Sequence, residues 1–241
     1  MKLVNNTVLI TGGTSGIGLE LGRKLLKLGN KVILLGRSKA RLKQVEKEGF
    51  YTISCDLERE NDIESAVVRI KKEFSDINIL FNNAGIQHNY LFSKEFVSPE
   101  KIRKEISTNV TGQMILTNAL IPILSKKEKA MIINTTSGLG AFPKVDGLVY
   151  SASKAAMRNF TLGLKYALKK SSIRVLELIP PVTDTPMTSE REEKKMSVGK
   201  LVEYILPQIE KERKVITIPL MRTFLWISFL LPGLANRILS K

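Results

Sequence analysis

Seven short runs, apolar almost throughout, recur along the chain: "TVLITGG", "KVILLGR", "YTISCDL", "NILFNNAG", "AMIINTTSG", "IRVLELIPP" and "KVITIP". Successive strand side chains point to opposite faces, so a run without a polar side suits a strand buried on both. Segments of helical length, such as 17–29 and 58–74, lie between them. That alternation predicts an α/β fold, a doubly wound parallel sheet with helices on both faces. No Pro/Gly/Ser-rich linker, low-complexity block or repeat divides the 241 residues, so a single domain is expected.

In such sheets ligands bind beyond the carboxyl ends of the strands. That edge collects Gly12 to Gly18, Arg37, Asp56, Asn82 to Gly85, Ser137 and the chain from Pro180. "TGGTSGIG" (11–18) follows the first run and opens a helix. Gly12, Gly16 and Gly18 allow a tight turn and close approach to a pyrophosphate. Together with Thr14, Ser15 and Ile17 they offer the anion the free amides of a helix start.

The second run ends in Gly36 and Arg37, where a dinucleotide fold usually places a carboxylate for the adenosine ribose. Arg37 suits a 2′-phosphate instead, with Arg41 or Lys39 near enough in sequence to assist, which favours NADP(H) over NAD(H). A plain surface arginine is the alternative. Asp56, followed by Leu57, suits either the adenine amino group or the N-terminus of the helix begun by "DLERENDIESA".

"YSASK" sets Tyr150 four residues before Lys154, on one face of a helix. A phenol titrates near pH ~10, and a neighbouring ammonium favours the phenolate, bringing it toward proton exchange at neutral pH.

With "CDL" (55–57), "NNAG" (82–85), "NVTG" (109–112), Ser137 and "PPVTDT" (180–185), these segments resemble the short-chain dehydrogenase/reductases of the basic Rossmann type. The opening "LVNNTVLITGGTSGIG", "NNAGIQ" and "LIPPVTDT" resemble the DltE-type branch in particular, including Pro180-Pro181 where most members carry Pro-Gly.

The resemblance implies hydride transfer between nicotinamide and a carbonyl or alcohol on an apolar or amphipathic substrate. It implies a catalytic tetrad of Asn109, Ser137, Tyr150 and Lys154. Tyr150 would exchange the proton, Ser137 hold the substrate oxygen, Lys154 bond the nicotinamide ribose, and Asn109 hold a helix bend and a water. Asn83, Ala84 and Gly85 would pass close to the cofactor, Val182 and Thr183 would lie near the nicotinamide amide, and 182–212 would form a substrate lid. A homo-oligomer is implied through the helix after Tyr150. Within this reading stand two alternatives, an NAD-dependent alcohol dehydrogenase and a non-catalytic dinucleotide-binding sensor or scaffold.

Net charge of +15 permits contact with an anionic surface, but the cations are spread along the chain and no nucleic-acid module is recognisable. The single cysteine, Cys55, and an N-terminus without the pattern of a secretory signal suggest a cytoplasmic protein. No His/Cys/carboxylate set has metal-ligand spacing, and the lone His88 reads as an exposed loop residue, with contact to substrate as the alternative. The apolar segment 215–241 is too short for a comfortable span, since ~20 residues are needed. It suits an interfacial helix with Trp226 at the headgroups and Arg222, Arg237 and Lys241 toward anionic lipid, or a segment closing the substrate pocket.

Overall fold

The computed structural model describes residues 1–231 and Gly233. All seven apolar runs form strands of one parallel sheet: β1 (Thr7–Thr11), β2 (Lys31–Gly36), β3 (Tyr51–Ser54), β4 (Ile79–Asn82), β5 (Ala130–Thr135), β6 (Ile173–Leu178) and β7 (Val215–Ile216). Their order is β3-β2-β1-β4-β5-β6-β7. The winding reverses between β1 and β4, which opens a crevice above their carboxyl ends.

Alternation along the strands feeds two cores. Leu9, Ile33, Leu80 and Ile132 pack against Ile63 and Ile70 of α3 (Glu60–Glu73) and Leu116 and Leu120 of α5 (Gly112–Leu124). Val8, Ile10, Leu34 and Ile133 face the other way, onto Leu21 and Leu25 of α1 (Gly16–Lys27) and Leu201 and Ile205 of α7 (Val198–Glu210). The remaining helices are α2 (Lys39–Glu46), α4 (Pro99–Ile106), α6 (Leu148–Ala167) and α8 (Pro219–Leu230).

A polar ladder crosses the sheet near the crevice. The Asn82 amide donates to Thr117 Oγ1 at 2.7 Å and Asn134 Oδ1 at 2.8 Å, and Asn134 donates in turn to Thr161 Oγ1 at 2.9 Å. All four side chains are buried.

Within the segment 182–212, α7 begins at Val198 and buries Leu201, Val202, Ile205 and Ile209 completely. Residues 182–197 precede it, tied by a bridge between Thr183 and Met196. The segment 215–241 contributes β7 to the sheet and then α8, while Arg237, Lys241 and the other residues of 234–241 lie outside the described residues. Helix α8 leans on the loop after β5, with the Phe224 and Phe142 rings edge to face at 4.3 Å. Leu220, Trp226, Phe229 and Leu230 of the same helix are exposed. Among the described residues no helix is long and apolar enough to cross a membrane.

Candidate active site

The crevice is a cavity of about 610 Å³. Gly12, Thr14, Ser15, Gly16 and Ile17, from the turn between β1 and α1, form one wall. Gly12 has φ +63°, and a Cβ there would lie 2.8 Å from the Ala84 Cα. Gly18 sits behind the wall, where a Cβ would meet Asn83 Nδ2 and the Gly12 carbonyl oxygen, both at 2.6 Å. This glycine-bearing turn at a helix start fits a dinucleotide pyrophosphate.

At the β2 side the cavity is lined by Gly36, Arg37, Ser38, Arg41, Asp56 and Leu57, and Lys39 is not among its walls. Two guanidiniums and no ribose carboxylate at the end of β2 fit an anionic adenosine end. Asp56 does not cap α3. Its Oδ1 accepts from Glu58 N at 3.2 Å in a local turn, and the residue before α3 is Arg59, so the helix-start reading gives way to the cavity.

Asn83, Ala84 and Gly85 form the floor. One buried hydroxyl fixes them: Thr11 Oγ1 accepts from the amides of Asn83 and Ala84, each at 2.9 Å. Gln113 on α5 ties the same turn by donating to the Ala84 carbonyl at 2.7 Å.

Tyr150 and Lys154 occupy the β5 side. Burial pushes the Tyr150 phenol up to about 12, opposed by the positive charge of Arg191 and a hydrogen bond from Ser137, while Glu105 adds to the rise. The expected partner, Lys154, is not among the charges that shift it. The lysine Nζ lies 5.6 Å from the ring centroid and donates to the Thr135 carbonyl at 2.9 Å. Burial brings its ammonium down to about 8.

Ser137 ends the strand loop beside Tyr150 and accepts from Leu139 N at 3.2 Å. Asn109 lies in a π-helical segment, Ser107–Thr111, that bends the chain between α4 and α5. Its Oδ1 accepts from Ile86 N and its Nδ2 donates to Ile86 O, both at 2.8 Å, and to Ser153 Oγ at 3.1 Å. A Cβ on Gly85 would stand 3.4 Å from Asn109 Oδ1 and 3.5 Å from Lys154 Nζ, so these polar atoms flank one point of the backbone.

Val182 and Thr183 are not among the walls; Thr185, Pro186 and Met187 are. Thr183 turns inward, its hydroxyl donating to the Pro181 carbonyl at 2.8 Å. His88, read as exposed, lines the cavity with its Nε2 buried. Burial lowers its pKa, aided by Lys101, Lys104 and Arg37.

Sequence reading missed Thr11, Gln113, Glu105 and Arg191. Glu105 is fully buried and accepts from the Tyr90 hydroxyl at 3.1 Å, although it sits in the charged string "PEKIRKE" that reads as a solvated face.

A parallel sheet with a phosphate turn at its switch point and a tyrosine–lysine pair across the same cavity defines a nicotinamide-dependent oxidoreductase of the Rossmann type. The short chain dehydrogenase family model matches residues 6–196, and the chain belongs to that family, whose reactions act on CH–OH and C=O groups. It is 37% identical to the oxidoreductase DltE of Bacillus subtilis (strain 168), over 90% of this chain and 89% of that one. It is 35% identical to serine 3-dehydrogenase of Agrobacterium fabrum, over 78% and 76% of the two chains. A short chain dehydrogenase from Burkholderia cenocepacia, solved in complex with NADP, superposes with a TM-score of 0.89 at 25% identity, covering 100% of both chains.

Proposed function

We propose that this chain is an NADP(H)-dependent reductase of a carbonyl group on an amphipathic substrate, running in reverse as an alcohol dehydrogenase. The observation that carries the reading is Tyr150, buried beside Ser137 in the same cavity as the phosphate turn. Arg37 and Arg41 at the end of β2 support the phosphorylated cofactor over NAD(H).

Gly12 to Ile17 would hold the cofactor's pyrophosphate, Arg37 and Asp56 its adenosine end and Lys154 its ribose, and the bound nicotinamide would supply or accept the hydride. Tyr150 donates its hydroxyl proton to the substrate oxygen, and a phenol held near 12 is protonated at neutral pH, as a general acid must be. Ser137 holds the same oxygen. Lys154, with a value near 8, remains largely an ammonium at pH 7 and, held by the Thr135 carbonyl in the cavity wall, is a donor for the cofactor's ribose. Asn109, bonded to both backbone groups of Ile86, holds the chain at Gly85 beside the lysine. Thr185 and Met187 place the lid over the cavity.

NADPH consumption with a panel of aldehydes, ketones and quinones tests this. Turnover should favour NADPH over NADH and fall at least ~100-fold in Tyr150→Phe with NADPH binding retained. Wild-type turnover that survives this substitution refutes the assignment.

Two assembly readings belong with this function. The exposed Leu162 and Tyr166 on α6 support a homo-oligomer, which light scattering of the purified protein tests. The exposed apolar face of α8 with Arg222 supports peripheral contact with anionic lipid, which co-sedimentation with phosphatidylserine vesicles tests.

A further inference from the structure

A second cavity, of about 990 Å³, lies between α6 and the β6–β7 edge of the sheet and shares no residue with the first. It exists because β7 is short. Val215 and Ile216 pair with Glu177 and Leu178, which leaves Ile173 to Leu176 of β6 without a strand on that side. Ile173 and Val175 are buried and form an apolar floor with Leu168. The exposed Leu162 and Tyr166 stand at its rim.

Five cations line this cavity, Arg158, Lys165, Lys169, Arg174 and Lys214, against two carboxylates, Glu177 and Glu212. Both carboxylates are already engaged. Glu177 Oε1 accepts from Thr136 Oγ1 at 2.8 Å and lies 3.7 Å from Arg158 Nε. Glu212 Oε1 accepts from the N-terminal ammonium at 2.9 Å, and its Oε2 lies 3.6 Å from Arg174 Nε. Among the described residues the three lysines form no ion pair. They are gathered all the same, because Lys165 and Lys169 are four residues apart at the end of α6 and Lys165 Nζ donates to the Lys214 carbonyl at 3.0 Å. Burial lowers the Lys165 ammonium, Glu177 opposes the fall, and Lys214 and Arg158 add to it. Like charges held together at a partly dry site carry a cost that a bound anion removes.

The lining selects the kind of anion. Both guanidiniums already face a carboxylate, so the uncommitted donors are separate ammoniums, point charges that suit the oxygens of a phosphate better than the two-pronged match of an arginine with a carboxylate. A bare phosphate would leave the apolar floor uncovered, and a cavity of this size takes a larger ligand. A second copy of the chain is the rival occupant. A two-fold contact would set this same cationic patch against itself, which charge repulsion opposes.

We infer that the second cavity binds a phosphate monoester bearing an apolar group, the phosphate on Lys165, Lys169 and Lys214 and the apolar group over Ile173 and Val175. Soluble organic phosphates and phosphatidic acid both present such a head, and the experiment separates the two sources.

The full chain is titrated by calorimetry with hexyl phosphate, with inorganic phosphate and with hexanol, at low and at high protein concentration. Hexyl phosphate should bind at least ~10-fold more tightly than either of the others, because lysines and floor are engaged together, and Lys165→Gln/Lys214→Gln should weaken it at least ~10-fold. Arg37→Gln, altered in the first cavity, should bind hexyl phosphate as wild type does. Co-sedimentation with phosphatidic acid vesicles that the double variant loses assigns the head to lipid, and hexyl phosphate binding without co-sedimentation assigns it to a soluble ligand.

Three results overturn the proposal. Hexyl phosphate binds no better than hexanol. Its affinity survives in Lys165→Gln/Lys214→Gln, and loss in Arg37→Gln instead would place the anion in the first cavity. Or its affinity falls as protein concentration rises, which shows that a second copy fills the groove.

Discussion

Lys154→Met should make the protein more stable while removing its activity. The lysine is 3% exposed, and burial lowers its ammonium from 10.5 to about 8. At about 1.4 kcal/mol per pH unit, that shift corresponds to about 3 kcal/mol of unfavourable charge burial in the folded state. Methionine has a similar length and no charge. Its introduction deprives the Thr135 carbonyl of the lysine's hydrogen bond, a loss of about 1 kcal/mol. The net gain expected at pH 7 is about 2 kcal/mol, or a Tm rise of roughly 4–8 °C for a chain of this size.

The pH dependence gives the sharper test. Between about pH 8 and 10.5 the unfolded lysine binds a proton that the folded one does not, so wild-type stability rises with pH across this window. The variant lacks this rise. Its advantage should be full below about pH 8, shrink through the window and reverse slightly above pH 10.5. Urea unfolding of both proteins at pH 7, 9 and 10.5 measures this. A variant no more stable than wild type at pH 7, or a difference that does not change with pH, refutes the argument that the ammonium is held against its own desolvation.

Arg37→Asp should lower the NADPH-over-NADH preference in kcat/KM by roughly 10- to 100-fold, the value of one charge-assisted contact replaced by a repulsion; an unchanged ratio places the 2′-phosphate elsewhere. Gly112→Ala drives a Cβ into the Leu57 carbonyl oxygen, so α5 must move from the loop after β3. A loss of at least ~2 kcal/mol is expected in urea unfolding, with weaker NADPH binding because Leu57 lines the adenosine end.

What the sequence made legible was contiguous. The central strands are buried on both sides because the sheet is covered on both, and the near-continuous apolar runs announced all seven strands. The phosphate turn, "NNAG" and "YSASK" each carry their chemistry within a few residues. Contacts that join distant segments left no such mark. Arg191 meets Gln87 across 104 positions, and Thr11 meets the turn at 83–84 across more than 70. The spacing within "YSASK" is local, but the bond from the Lys154 ammonium to the Thr135 carbonyl, 19 positions back, is set by the fold.

The ladder from Thr117 through Asn82 and Asn134 to Thr161 also limits how the sheet can be assembled. β4 and β5 align Asn82 with Asn134, and a slip of one residue would turn one asparagine to the opposite face. Buried amides stripped of partners cost ~1–3 kcal/mol each, whereas the apolar neighbours Phe81 and Ile133 would tolerate other pairings. These strands pair in parallel, and β5 must find its place beside β4 after nearly fifty intervening residues have been laid down. Two amides therefore act as a proofreading mark for a late and otherwise permissive joining, and the mark lies at the strand ends that carry the cofactor floor and Ser137. A chain paired in the wrong register would be penalised where misalignment would do most harm to function.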